Sequence, residues 1–133
     1  MRAKDLMIDD WVYNSKNEKC KVCGTSEIFD SNITLDNYDK ENDGCFETEF
    51  EVSPIPLTSE ILEANDIHRE GGVCHWCDET HSLAFFFWNE DRIELLVSRN
   101  GDSHPYILKL DVKYIHQVQH AFALCGIRKA IQL

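Results

Sequence analysis

The chain has 133 residues, of which 43% are hydrophobic and 28% charged, and its formal net charge is −11 at pH 7 with the histidines neutral. This length and composition predict one globular domain rather than a disordered chain. The negative charge repels phosphate backbones, and the Lys and Arg residues form no basic stripe, so nucleic acid is not expected as a partner.

The N-terminus has too short an apolar run for a secretory signal, and no segment approaches the roughly 20 apolar residues that span a bilayer. We therefore expect a cytoplasmic protein without membrane association, in which the six cysteines stay reduced. Reduced cysteines leave three roles open: metal ligand, nucleophile or small hydrophobic residue.

Residues 1–56 are predicted to form a small, bent antiparallel sheet that resembles an SH3-like barrel. Its first two strands are residues 11–13 and residues 19 to about 29. In residues 46–52 apolar side chains alternate with glutamates, which is typical of a half-buried strand. Pro54 and Pro56 lack a backbone N–H and are expected to interrupt the sheet.

A short helix is predicted after Thr58, whose hydroxyl can cap the N-terminus, and Asn65 is expected to end it. Gly71-Gly72 is then interpreted as opening a loop. Three antiparallel strands follow as a meander, because short turns separate apolar runs. The predicted strands are residues 82–88, 92–98 and 104–110.

Asp111 is predicted to cap a final helix, with Gly126 as its stop, because apolar residues recur on one side of the segment between them. Residues 127–133 are expected to add an edge strand. Together the elements predict an α+β fold in one domain, with residues 1–56 as a β part and residues 57–133 as a helix, meander and helix.

The strand of residues 83–88 is apolar on both sides, and such a strand needs cover on both faces. The final helix can cover one face. The N-terminal sheet is the first candidate for the other, and a partner chain or ligand is the alternative. If that face is open, the sequence predicts a binding surface that includes Phe86, Trp88, Leu96 and Ile107.

Two Cys-x-x-Cys pairs could complete a tetrahedral zinc site, and they hold four of the six cysteines. The candidate ligands are Cys20, Cys23, Cys74 and Cys77. Three features argue against the site: residues 24–73 separate the pairs, no glycine follows the second pair, and the first pair lies in a predicted strand. Residues three apart in a strand point to opposite faces. A redox role for the second pair is disfavoured because acidic neighbours raise a thiol pKa.

Other motifs select no active site. His116 and His120 lie one turn apart on the final helix, but Gln117 occupies the place where zinc peptidases carry their catalytic glutamate. No spacing singles out a carboxylate pair, a nucleophile triad or a phosphate-binding loop.

Three segments, taken in chain order, carry a resemblance to other proteins: residues 6–13, residues 54–62 and residues 114–119. In that order they resemble a group of small uncharacterised proteins of gut bacteria and their phages or mobile elements. The resemblance implies a fold and a genomic setting but no activity or catalytic residue. It also implies that the paired cysteines are local substitutions.

The sequence therefore predicts a non-enzymatic module without a cofactor that binds a protein partner or associates with itself. The alternative is a zinc-stabilised adaptor that uses the four paired cysteines. A small hydrolase or oxidoreductase is the third hypothesis, and it would require a deep pocket lined by polar groups.

Overall fold

A computed structural model describes residues 1–26, 32–36, 46–48, 51–101 and 106–133. These residues form antiparallel sheets and two α-helices, so the predicted α+β class is confirmed. The chain divides into two compact units. The first contains residues 1–55 and 114–116, and the second contains residues 56–113 and 117–133.

The first unit is built on one antiparallel sheet in the order β4-β3-β2-β1-β5, preceded by a 3-10 turn at Ala3–Asp5. The strands are β1 Trp11–Tyr13, β2 Lys19–Ser26, β3 Asn32–Leu35, β4 Phe46–Thr48 and β5 Ser53–Pro54. The register of β2 against β3 shifts between Val22 and Gly24, which leaves Cys23 in a bulge. A bulge of this kind bends a strand and increases its twist.

One face of this sheet is buried, as the alternation of side chains along its strands requires. The buried cluster consists of Leu6, Val12, Cys20, Val22, Ile33, Leu35 and Val52, and Met1 packs against it. Burial of this apolar area is the main stabilising contribution in a unit of such short strands.

Two expectations for the first unit are wrong. The strand predicted for residues 46–52 is too long, since β4 ends at Thr48 and Glu51 lies in a turn. Pro54 does not interrupt the sheet but pairs with Val12 of β1. Proline is tolerated there because β5 is an edge strand and needs no N–H on its outer side. Residues 27–29 of the predicted second strand lie outside the described residues.

The second unit contains a five-stranded antiparallel sheet in the order β10-β9-β8-β7-β6, so each strand pairs with its neighbours along the chain. The strands are β6 His68–Glu70, β7 Val73–Cys77, β8 His81–Asn89, β9 Arg92–Arg99 and β10 Leu108–Val112. Helix α1 spans Ser59–Ala64 and packs beside β6 and β7, and helix α2 spans Ile115–Cys125.

Helix α1 has the caps that the sequence predicts. The Thr58 hydroxyl accepts the backbone N–H of Ile61 at 3.3 Å, and Asn65 follows as the C-cap. Leu62 is the residue of α1 that is fully buried. These contacts fix a helix that is too short to be stable by itself.

Adjacent residues of β8 point to opposite faces of the second sheet. The face that carries Phe85, here the Phe85 face, forms the core with Leu83, Leu95, Val97 and Cys74, which are all buried. The opposite face, here the Phe86 face, carries the alternate residues of each strand. It includes Val73, His75, Ala84, Glu94, Leu96, Lys109 and Asp111.

Three expectations for the second half of the chain are wrong. Strands β6 and β7 replace the loop expected around Gly71-Gly72. Asp111 lies in β10, which continues to Val112, so α2 begins at Ile115 rather than next to Asp111. Residues 127–133 form no strand. Gly126 does end α2, with φ 73°, as predicted. Residues 102–105, where the third predicted strand begins, lie outside the described residues.

Candidate functional site

An exposed aromatic pair occupies one end of the Phe86 face. Trp88 lies in an irregularity of β8, where the pairing with β9 shifts between Phe87 and Asn89. The Trp88 ring stacks on that of Phe86, two residues earlier, with ring centroids 5.8 Å apart and planes 16° from parallel. The Arg92 guanidinium lies 5.9 Å from the Trp88 ring centroid, within reach of a cation–π contact.

The four residues predicted as a binding surface differ in exposure. Trp88 is 59% exposed and Ile107 is 38% exposed, whereas Phe86 is partly buried. Leu96 is only 7% exposed, so it offers little area to a ligand. The Ile107 N–H donates to the Val97 carbonyl at 2.8 Å, which holds Ile107 beside β9.

Charged side chains of both signs surround the aromatic pair. Arg92 lies 3.3 Å from a Glu94 carboxylate oxygen and 3.6 Å from one of Asp111, and the Lys109 ammonium lies 4.0 Å from Glu94. Glu94 is largely buried, whereas the other three are exposed. These are the charged residues of β8, β9 and β10 on the Phe86 face, and their formal charges sum to zero.

Each cysteine pair is divided between two environments. Cys20 and Cys74 are fully buried, whereas Cys23 and Cys77 are exposed. Cys74 and Cys77 lie in β7, where residues three apart point to opposite faces. In β2 the bulge at Cys23 interrupts this alternation, but Cys23 is exposed while Cys20 is buried, so these two thiols also point apart. The two thiols of each pair cannot coordinate the same ion unless the backbone conformation changes. This arrangement does not favour the four-cysteine zinc site.

The thiol pKa values point the same way. Desolvation, followed by the carboxylates of Asp36 and Asp9, raises the pKa of the Cys23 thiol. Desolvation is also the largest cause that raises the pKa of Cys74, with Glu63 adding to it and Arg69 opposing it. A zinc ligand or nucleophile acts as thiolate, and a raised pKa disfavours that form.

A cluster that the sequence analysis missed lies on the hairpin of β6 and β7. His68 and His75 are direct cross-strand partners, and Glu70 lies two residues after His68 on the same face. Among the described residues, these three form the group of His, Cys, Asp and Glu side chains whose ligand atoms lie within 4.8 Å of one another. Interpreting Gly71-Gly72 as a two-residue hairpin turn would have placed them together from sequence alone.

A second exposed apolar feature lies between β10 and α2. Leu108, Leu110, Ala121 and Leu124 line a groove of about 310 Å³ together with Gln117 and His120. Leu124 is 78% exposed, which makes it the most exposed large hydrophobic residue in the described part of the chain. This groove is separate from the aromatic pair and provides an internal comparison for it.

No helix in the described residues is long and apolar enough to cross a membrane. Comparison with protein-family models, curated proteins and solved structures finds no match to this chain.

Proposed function

We propose that the protein is a non-enzymatic, cytoplasmic binding module that self-associates through the Phe86 face. The observation that carries this proposal is the Trp88 ring, which is 59% exposed although it stacks on Phe86. Tryptophan side chains with a rigid aromatic support are typical anchors of protein interfaces. Leaving such an anchor in water forgoes the stabilisation that its burial would provide.

The charge distribution favours a second copy of the chain as the partner. The chain carries a net charge of −11, yet the formal charges of Arg92, Glu94, Lys109 and Asp111 around the aromatic pair sum to zero. Glu70 on β6 adds one negative charge at the far edge of the same face. Two acidic molecules repel each other least where their facing surfaces are neutral. A surface that carries both signs can place opposite charges against each other across a two-fold axis, which a surface of one sign cannot do.

Sedimentation equilibrium and native mass spectrometry over a range of protein concentrations test this proposal. We expect a dimer that Trp88→Ala weakens by more than about tenfold, the effect of losing an interface anchor. Leu124→Ala is the matched control, because it truncates an exposed apolar side chain in the other groove. A native chain that stays monomeric at high concentration, or a dimer broken by Leu124→Ala instead, would overturn the proposal.

Salt distinguishes self-association from binding of a basic protein. Two chains of charge −11 repel each other overall, so added salt should strengthen the dimer by screening that repulsion. A complex with a positively charged partner would instead weaken with salt. A dimer that dissociates as salt is added would contradict the proposed interface.

A further inference from the structure

We propose that His68, Glu70 and His75 bind one divalent transition-metal ion on the hairpin of β6 and β7. The strand register brings the two imidazoles directly opposite each other, and their rings meet edge to face with centroids 5.4 Å apart. The Glu70 carboxylate lies between them. One oxygen is 3.8 Å from His68 Nε2, and the other is 3.6 Å from His75 Nε2.

These separations fit a metal site with little rearrangement. Zinc bonds nitrogen and oxygen ligands at about 2.0–2.1 Å, which places neighbouring ligand atoms of a tetrahedron about 3.3 Å apart. The measured distances of 3.6 and 3.8 Å are only slightly longer. All three side chains are exposed, so small rotations can bring the ligand atoms to bonding distance.

The ligand types define the class of ion. Imidazole nitrogen suits zinc, copper, nickel and iron, whereas magnesium and calcium require oxygen ligands. Two histidines and one carboxylate supply three ligands, so at least one coordination position stays available to water or to a ligand from another molecule. This donor set contains no thiolate and is independent of the paired cysteines.

The turn and the Arg69 side chain hold the backbone under the site in place. Gly71 adopts φ 60° in the two-residue turn that joins Glu70 to Val73. On the opposite side of β6, Arg69 donates to the Gly71 carbonyl and to the Ser59 hydroxyl, both at 3.1 Å. A fixed backbone reduces the entropy that is lost when the ligands converge on an ion.

The surroundings also favour a cation. His68 lines a cleft of about 370 Å³ together with Glu63, Asp66 and Arg69, so two carboxylates face one guanidinium there and the cleft carries a net negative charge, which attracts cations. A simple ion pair between Glu70 and protonated histidine would contribute little to stability at such an exposed position. Metal binding explains why two histidines and a glutamate converge.

Zinc titration of the full, metal-free chain by calorimetry and native mass spectrometry tests the site. We expect zinc to bind, and we expect His68→Ala or His75→Ala to lower the affinity of one zinc ion by more than about tenfold. Glu70→Gln should weaken binding as well, and magnesium should not compete. His120→Ala is the matched control because it removes an imidazole from α2 and leaves the hairpin intact.

Cysteine binding must be separated from this result. The Cys23→Ser/Cys77→Ser chain, which lacks both exposed thiols of the pairs, should retain the histidine-dependent zinc ion. Equal zinc affinity of the native chain and the His68→Ala/His75→Ala chain would overturn the proposal, and so would loss of binding in the cysteine variant alone. The Trp88→Ala variant should bind zinc as tightly as the native chain does. The zinc titration therefore tests the metal site even if the native chain does not form the proposed dimer.

Discussion

Asn65 holds the C-terminal segment through its side-chain amide. The Asn65 Nδ2 group donates to the Gln132 carbonyl at 2.9 Å, and the Gln132 backbone N–H donates to Asn65 Oδ1 at 2.7 Å. The same Nδ2 group also donates to the Ile61 carbonyl at 2.8 Å. One buried amide thus joins the end of α1 to a segment that has no secondary structure of its own.

We expect Asn65→Ala to lower the free energy of unfolding by about 2 kcal/mol, because two backbone groups of Gln132 lose their partners. Chemical denaturation followed by circular dichroism measures the change. Glu63→Ala, an exposed substitution on the same helix, is the control and should have little effect. A loss for Asn65→Ala no larger than that of the control would show that water replaces these bonds without cost.

Thiol labelling should follow the burial of the paired cysteines. We expect Cys23 and Cys77 to react with an alkylating reagent in the folded protein, whereas Cys20 and Cys74 react only after unfolding. Because the pKa of Cys23 is raised, its labelling rate should still increase with pH above the ordinary thiol range. Peptide mass spectrometry of the labelled chain identifies each site.

The same labelling measurement tests the alternative zinc site. A four-cysteine centre would make zinc protect all four thiols together, and chelation would expose them together. We expect zinc to leave the reactivity of Cys20 and Cys74 unchanged, because both are already inaccessible.

Local signals in the sequence are sufficient to predict several element boundaries. Thr58, Asn65 and Gly126 mark helix ends because their chemistry acts within one turn. The burial of Leu96 could not be predicted, since periodicity places it on the Phe86 face without showing how closely its neighbours cover it. Local sequence cannot place Pro54 in the sheet, because only the strand order reveals that β5 is an edge strand, where a proline is tolerated.

Asp78 should make the stability of the second unit depend on pH. Its carboxylate accepts the backbone N–H groups of Thr80 and His81, both at 2.7 Å. The hydrogen bond from His81, followed by the one from Thr80, lowers the pKa of Asp78. A lowered folded-state pKa means that the stabilisation is complete above the ordinary aspartate range and is lost as the pH falls through the folded-state value.

We therefore expect Asp78→Asn to be less stable than the native chain at neutral pH and to lose this difference in acid. Denaturation midpoints measured between neutral pH and about pH 2 provide the test. Glu79→Gln removes a carboxylate from the same turn but leaves the bonds to Asp78 in place, so it is the matched control. An unchanged stability difference across this pH range would contradict the role assigned to Asp78.

The β6–β7 turn offers a comparison between two adjacent glycines. Gly71 has φ 60°, a left-handed conformation that is unfavourable for residues with a Cβ atom. Gly71→Ala should therefore lower the free energy of unfolding by about 1 kcal/mol. Gly72 has no positive φ, and a Cβ there would meet the Phe87 carbonyl at an ordinary 3.8 Å. Gly72→Ala should therefore cost less in chemical denaturation, because only backbone strain separates the two positions. Equal costs would mean that this hairpin, and with it the approach of His68 to His75, does not depend on the left-handed conformation of Gly71.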